Sequence, residues 1–188
     1  SWLESYINGV ATWWVLLPNG IGANSTVTLY LGFSSSGSTL LNGTTVGANP
    51  LWTSTYGQYD NGASVFNFYD NFAGTTLSSN WVNSGMTVTV NNGVTLDSTS
   101  TAGSGSQDSI TYNKNLAGTS YVLETYTKIP SVGNGNIAPA MIINSNSSTA
   151  YSSTNTLVNS GVELGGTTPT YYIEYQNPAG TLTYPTIS

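Results

Sequence analysis

The run STVTLYLGF, from Ser25 to Phe33, alternates strictly: Val27, Leu29, Leu31 and Phe33 point one way, Thr26, Thr28 and Tyr30 the other. A period of two fits a β-strand with one covered face and cannot line up on a helix, where like residues must recur every three or four positions. The run therefore predicts a half-buried strand, and the rest of the chain agrees with it. Only 5% of the residues are charged, against about 25% in an average globular protein. Ser, Thr, Asn and Gly take their place. Val, Thr, Tyr and Trp suit a pleated surface, while Lys, Glu, Ala and Leu, the usual helix formers, are scarce. An all-β fold is expected.

Further strands follow from local patterns. VATWWVLLP, from Val10, reads as a buried strand closed by the turn PNGIGAN. MTVTV and VTLDS flank Asn91-Asn92-Gly93, where positive φ is cheap, and so predict a hairpin. SYVLETYTKI predicts a strand with Val122, Glu124, Tyr126 and Lys128 on one face. In IAPAMII, Pro139 cannot donate a ladder hydrogen bond, which points to an edge strand or a bulge. TYYIEYQ and GTLTYPTIS predict a second hairpin around NPAG.

The missing residue types exclude several chemistries. Without cysteine or histidine there is no Cys–His pair, no Ser–His–Asp triad and no zinc site built on those ligands. Lys114 and Lys128 are the only basic side chains, too few to neutralise a phosphate backbone, so nucleic acid is not an expected partner. No apolar run approaches the roughly 20 residues of a membrane-spanning helix. The net charge is −6. In strong acid the carboxylates, which titrate near pH 4, lose that charge, and the hydroxyl- and amide-rich surface suits an acidic habitat. Ser1 at the start, with no signal segment, suggests a processed or trimmed chain.

The acids do not assemble a catalytic pair in sequence. Sugar hydrolysis needs two carboxylates about 5–9 Å apart, yet Glu124 stands alone on its strand, and Glu4, Asp97, Asp108, Glu163 and Glu174 are scattered. Asp60 and Asp70 are better explained as turn formers than as calcium ligands. No cofactor and no metal are expected, and the chain reads as a non-enzyme. Lys114 and Lys128 raise the idea of a lysine–asparagine isopeptide bond, but Glu124 and Lys128 are spaced for an exposed ion pair. Trp52, Tyr56, Tyr59 and Asp60 form a candidate sugar-binding set, aromatic faces beside a hydrogen-bonding carboxylate. Asn24 in NST, Asn42 in NGT and Asn146 in NSS are acceptors for N-linked glycans.

The segment YDNFAGTTLSSNW, followed by NSGMTVTVNNGVTLDS, resembles the opening strands of concanavalin A-like jelly-roll domains. SWLESYINGVATWWVLLPNGIGANSTVTLYLGF and YGQYDNGASVFNFYDNF resemble a module of archaeal surface proteins, the domain of unknown function numbered 2341. The resemblance implies an antiparallel β-sandwich in two parts, residues 1–66 as an N-terminal module and 67–188 as the jelly roll. It also implies an exported archaeal protein of the cell surface. Both parts are shorter than usual, so the sandwich is expected to be incomplete and completed by a strand from a neighbouring subunit. The expected donor is the N-terminal run Trp2, Leu3, Glu4, Ser5, Tyr6 and Ile7. On this reading the chain is an extracellular filament subunit, pilus- or thread-like, built by donor-strand complementation from copies of itself. A carbohydrate-binding adhesion module is the alternative.

Overall fold

A computed structural model describes residues 1–98, 108–112 and 122–128, together with the backbone of four strands between 137 and 183. The fold is all-β. Among the described residues the helical elements are two three-residue 3-10 turns, Pro50–Trp52 and Gly62–Ser64. The chain divides into two compact units, 1–76 with 89–95, and 77–88 with 96–188. The expected boundary at residue 66 lies inside the first unit.

In the first unit, β1 (Trp2–Ile7) and β2 (Val10–Trp14) form an antiparallel hairpin with a bulge between Leu3 and Ser5. Asn8 and Gly9, both at positive φ, make the turn, the conformation a tight hairpin demands and these two residue types accept at least cost. On its other side β1 pairs in parallel with β3 (Gly47–Ala48), so the sheet order is β2-β1-β3. Trp2 and Ala48 are buried there, with Val65 and Val90. Rings assemble the core: Trp2 packs edge-on to Phe66 at 5.2 Å and to Tyr69 at 5.8 Å, and Trp14 to Phe66 at 5.7 Å. Phe66 stacks on Tyr69. Such pairs contribute about 0.5–1.5 kcal/mol each beyond the area they bury.

Two sequence expectations fail in this unit. Val10–Trp14 forms a strand, but it is largely exposed rather than buried. Ser25–Phe33 joins no sheet, and every residue of it is exposed. Alternation records the potential of a segment to bury a face; burial needs a second surface, and the described residues present none to that run.

β5 (Met86–Val90) and β6 (Val94–Ser98) form the hairpin foreseen around Asn91–Gly93. Its tip, 89–95, belongs to the first unit and its base to the second. Asn92 and Gly93 carry the positive φ angles, and the tip docks on the neighbouring turn: Asn92 N–H donates to the Gly74 carbonyl and Gly93 N–H to that of Phe72.

The second unit holds β4 (Trp81–Ser84) paired with β7 (Ser109–Tyr112), the rings of Trp81 and Tyr112 meeting edge-on at 5.5 Å. It also holds a four-stranded antiparallel sheet of β8 (Ile137–Asn144), β9 (Leu157–Leu164), β10 (Pro169–Gln176) and β11 (Leu182–Thr183), in the order β11-β10-β9-β8. β8 lies at the edge and bulges between Pro139 and Met141, as its proline requires. β10 and β11 are the expected second hairpin. The strand foreseen around Val122–Lys128 is not one: 122–128 carries no sheet pairing, and Val122 and Tyr126 are exposed.

Candidate functional site

Asp60 is the centre of the first unit. It stands in a stretch where burial removes water from any carboxylate, so its oxygens need donors from the chain. Four are supplied. Oδ1 accepts from Trp2 Nε1 at 2.9 Å and from the Gly62 amide at 2.9 Å. Oδ2 accepts from the Tyr69 hydroxyl at 2.7 Å and from Asn71 Nδ2 at 2.6 Å. An ionised carboxylate offers about four lone-pair positions, and the chain fills them all. The group thereby ties β1 to the 3-10 turn at Gly62 and to the loop through Tyr69 and Asn71. Hydrogen bonds to an ionised partner contribute about 1.5–3 kcal/mol each.

The surrounding tyrosines respond to this charge. Burial, first, and then the hydrogen bond to Asp60 push the Tyr69 phenol well above its usual range. Tyr56 is also raised, by burial first and then by the charges of Asp60 and Asp70; its hydroxyl donates to the Asn71 carbonyl. Both phenols stay protonated because the neutral form is the one that donates to an acceptor in a partly dry site.

Two glycines allow the close approach. A Cβ on Gly62 would stand 2.4 Å from the Tyr69 ring, and one on Gly47 would stand 2.0 Å from Asn61 Oδ1 and 2.6 Å from the Tyr59 carbonyl. Asn61 is buried. Its Nδ2 donates to the Thr44 carbonyl at 3.4 Å, and its Oδ1 has no hydrogen-bond partner among the described residues.

The four residues of the candidate sugar-binding set divide. Asp60 and Tyr56 lie in this network, the carboxylate occupied by the chain's own donors. Tyr59 is partly buried, and its carbonyl accepts from Ala48 N–H. Trp52 is separate and exposed, its ring 6.3 Å from that of Tyr6. Sequence alone pointed to Asp60 as a polar contact for a ligand; the signal for its structural role was that it is one of just two charged residues in the aromatic run 56–72.

The donor-strand residues Trp2, Leu3, Glu4, Ser5, Tyr6 and Ile7 are β1, the central strand of the chain's own three-stranded sheet. Trp2 is buried, and Glu4 Oε2 accepts from Trp14 Nε1 at 2.6 Å across the hairpin. Donation of this strand to another copy requires giving up both neighbours and the Trp2–Asp60 bond.

Of the sequons, Asn24 lies exposed at positive φ. Asn42 is exposed but engaged: its Oδ1 accepts from the amides of Thr44, Thr45 and Val46, and its Nδ2 donates to Thr45 Oγ1. Asn146 and Lys114 lie outside the described residues, and Lys128 is exposed. Among the described residues no three acidic side chains gather as a metal site would require, and Asp70 Oδ1 accepts from the Phe72 amide in a turn. No helix among them is long and apolar enough to cross a membrane.

No family of known proteins matches the chain, and no solved structure matches it. A similar sequence is the uncharacterized protein 562 of Sulfolobus islandicus rod-shaped virus 1, 39% identical over 90 residues. The match takes in 47% of this chain but spans only 15% of the viral protein.

Proposed function

We propose that the chain is a non-enzymatic structural protein of an archaeal cell or virion exterior, a subunit that assembles with copies of itself by strand pairing. The observation that carries this reading is the open edge of the first unit's sheet. β2 ends the order β2-β1-β3, with no further strand beside it among the described residues, and its Val10 and Trp13 are 65% and 37% exposed. Proteins protect such edges with charge, proline or a covering loop, because unpaired backbone groups template another chain. Here Val10–Trp14 contains neither a charge nor a proline. Similarity to a protein of a Sulfolobus virus supports the archaeal setting. An exterior location fits the sequons, of which Asn24 and Asn42 are both exposed.

The measurement is the mass distribution in solution, by light scattering and electron microscopy, over a range of concentrations. Growth of the species with concentration is expected, and the edge variant Thr12→Lys is expected to suppress it. A single small species at high concentration, unchanged by Thr12→Lys, overturns the reading.

The exposed Tyr6–Trp52 ring pair favours a second reading, carbohydrate adhesion. Its test is a glycan array with wild type and Trp52→Ala: specific binding lost in the variant supports it, and equal signals from both refute it.

A further inference from the structure

The segment between β2 and β3, residues 15–46, contains no strand and runs well beyond the usual connection. Loops longer than about 12–15 residues without secondary structure are uncommon in compact domains and usually functional. Its middle is the one piece of the first unit built as a strand but not used as one. Leu29, Tyr30, Leu31 and Phe33 are 61%, 93%, 74% and 90% exposed, and from Thr26 to Phe33 no backbone hydrogen bond is made among the described residues. A soluble domain seldom leaves two nearly bare aromatics and two leucines in one extended run, since the exposed apolar patch is a binding surface or a liability.

We infer that Thr26–Phe33 is a donor strand whose occupant is a second copy of this chain, paired along the open edge of β2. This rests on the self-assembly reading above and assigns its donor, replacing β1, which is already committed on both sides.

Three observations select this partner. The first is charge. From Ser5 to Tyr59 not one side chain is charged, so donor and acceptor meet without Coulomb repulsion although the whole molecule carries −6. Charged edge residues would have blocked that approach. The second is area. Aromatic side chains present about 150–250 Å² each, and with Val27, Leu29 and Leu31 the strand brings a surface on the order of the ~800 Å² per partner of a stable interface.

The third is connectivity. Strands that pair as neighbours in one chain are commonly joined by a single tight turn. Between β2 and Thr26 there are two successive turns, closed by Gly20 N–H to the Leu17 carbonyl and Ser25 N–H to the Gly22 carbonyl. The segment makes no pairing with its own β2, whose described partner is β1. A heterologous contact of this kind, donor of one copy to acceptor of the next, propagates as a filament unless the rotation between copies closes it into a ring.

The chain has no cysteine, so introduced thiols report one contact at a time. Thr12→Cys in one preparation is mixed under oxidising conditions with Thr26→Cys, Thr28→Cys or Tyr30→Cys in another. A disulfide between the two chains at one of these positions is expected, since bridging requires Cα atoms within about 7 Å. In parallel, the double variant Leu29→Lys/Leu31→Lys is expected to raise the concentration needed for assembly at least about tenfold, with an unchanged circular dichroism spectrum.

Assembly of that double variant at the wild-type concentration overturns the donor assignment while the self-assembly reading stands. A cross-link formed only when both thiols are in one chain also overturns it, because the segment then covers its own β2. A wild type that never assembles defeats the underlying reading as well.

Discussion

The Asp60 network and the Thr26–Phe33 segment belong to the same unit and draw on the same residue types, yet one is closed and the other open. Around Asp60 one carboxylate ties its neighbours together: four donors converge, two glycines let backbone and ring come close, and four rings pack nearby, three pairs edge to face and one stacked. In the segment apolar residues are also numerous, but among the described residues nothing polar fixes their direction and no second surface faces them. Hydrophobic residues supply the tendency to associate; the partly buried carboxylate with matched donors supplies the address. A region with the first and not the second remains available to another molecule.

That contrast is broken most severely at its centre. Asp60→Ala removes the acceptor for Trp2, Gly62, Tyr69 and Asn71, leaving several donors in a partly buried site. A loss of about 3–5 kcal/mol in chemical denaturation is expected, because each donor left without an acceptor away from water costs about 1–3 kcal/mol. Gly62→Ala tests the close approach of the Tyr69 ring. The added methyl has no room, and overpacking of this kind costs about 1–3 kcal/mol.

Alkaline titration sharpens the same side of the comparison. Tyr56 and Tyr69 have raised folded-state pKa values, whereas a tyrosine in the unfolded chain loses its proton near pH 10. Their contribution is therefore fully present below about pH 10 and declines as pH rises past it, because the unfolded state alone gives up protons there. Denaturant midpoints measured from pH 8 upward are expected to hold until about pH 10 and then fall. The Tyr69→Phe variant is expected to show a shallower fall.

The smallest effect lies on the open side. Leu29→Ser in the exposed segment is expected to change the stability of the isolated chain by no more than about 0.5 kcal/mol, the usual range for surface positions. A loss comparable with that of Asp60→Ala, measured by thermal or chemical unfolding at low protein concentration, would mean that the segment is covered within its own chain.

How far the sequence foretold this arrangement depends on whether the cause was local. Asn91–Gly93 announced its hairpin because positive φ is a property of those residues. Pro139 announced an edge and a bulge because it has no amide proton to give. β9 was not legible: Asn159, Ser160 and Gly161 interrupt the alternation, and its place between β8 and β10 comes from long-range pairing. Val10–Trp14 and Ser25–Phe33 carried clear strand patterns, but a pattern says nothing about whether a covering surface exists in the same chain. The Asp60 network escaped for a related reason. Its donors come from residues 2, 62, 69 and 71, and nothing in the linear order of the chain announces that they converge.

β1 is flanked by β2 on one side and β3 on the other, so the two ends of the long intervening segment are clamped to the same strand. Loop closure grows only logarithmically with length, and doubling such a segment costs about 0.6 kcal/mol. Insertions, deletions and replacements within residues 15–40 are therefore nearly neutral for the framework, whereas 42–46 is tied to it through Asn42, Thr44 and Thr45. That makes this stretch a natural place for diversification: descendants can alter reach and stickiness there while inheriting the aromatic floor unchanged.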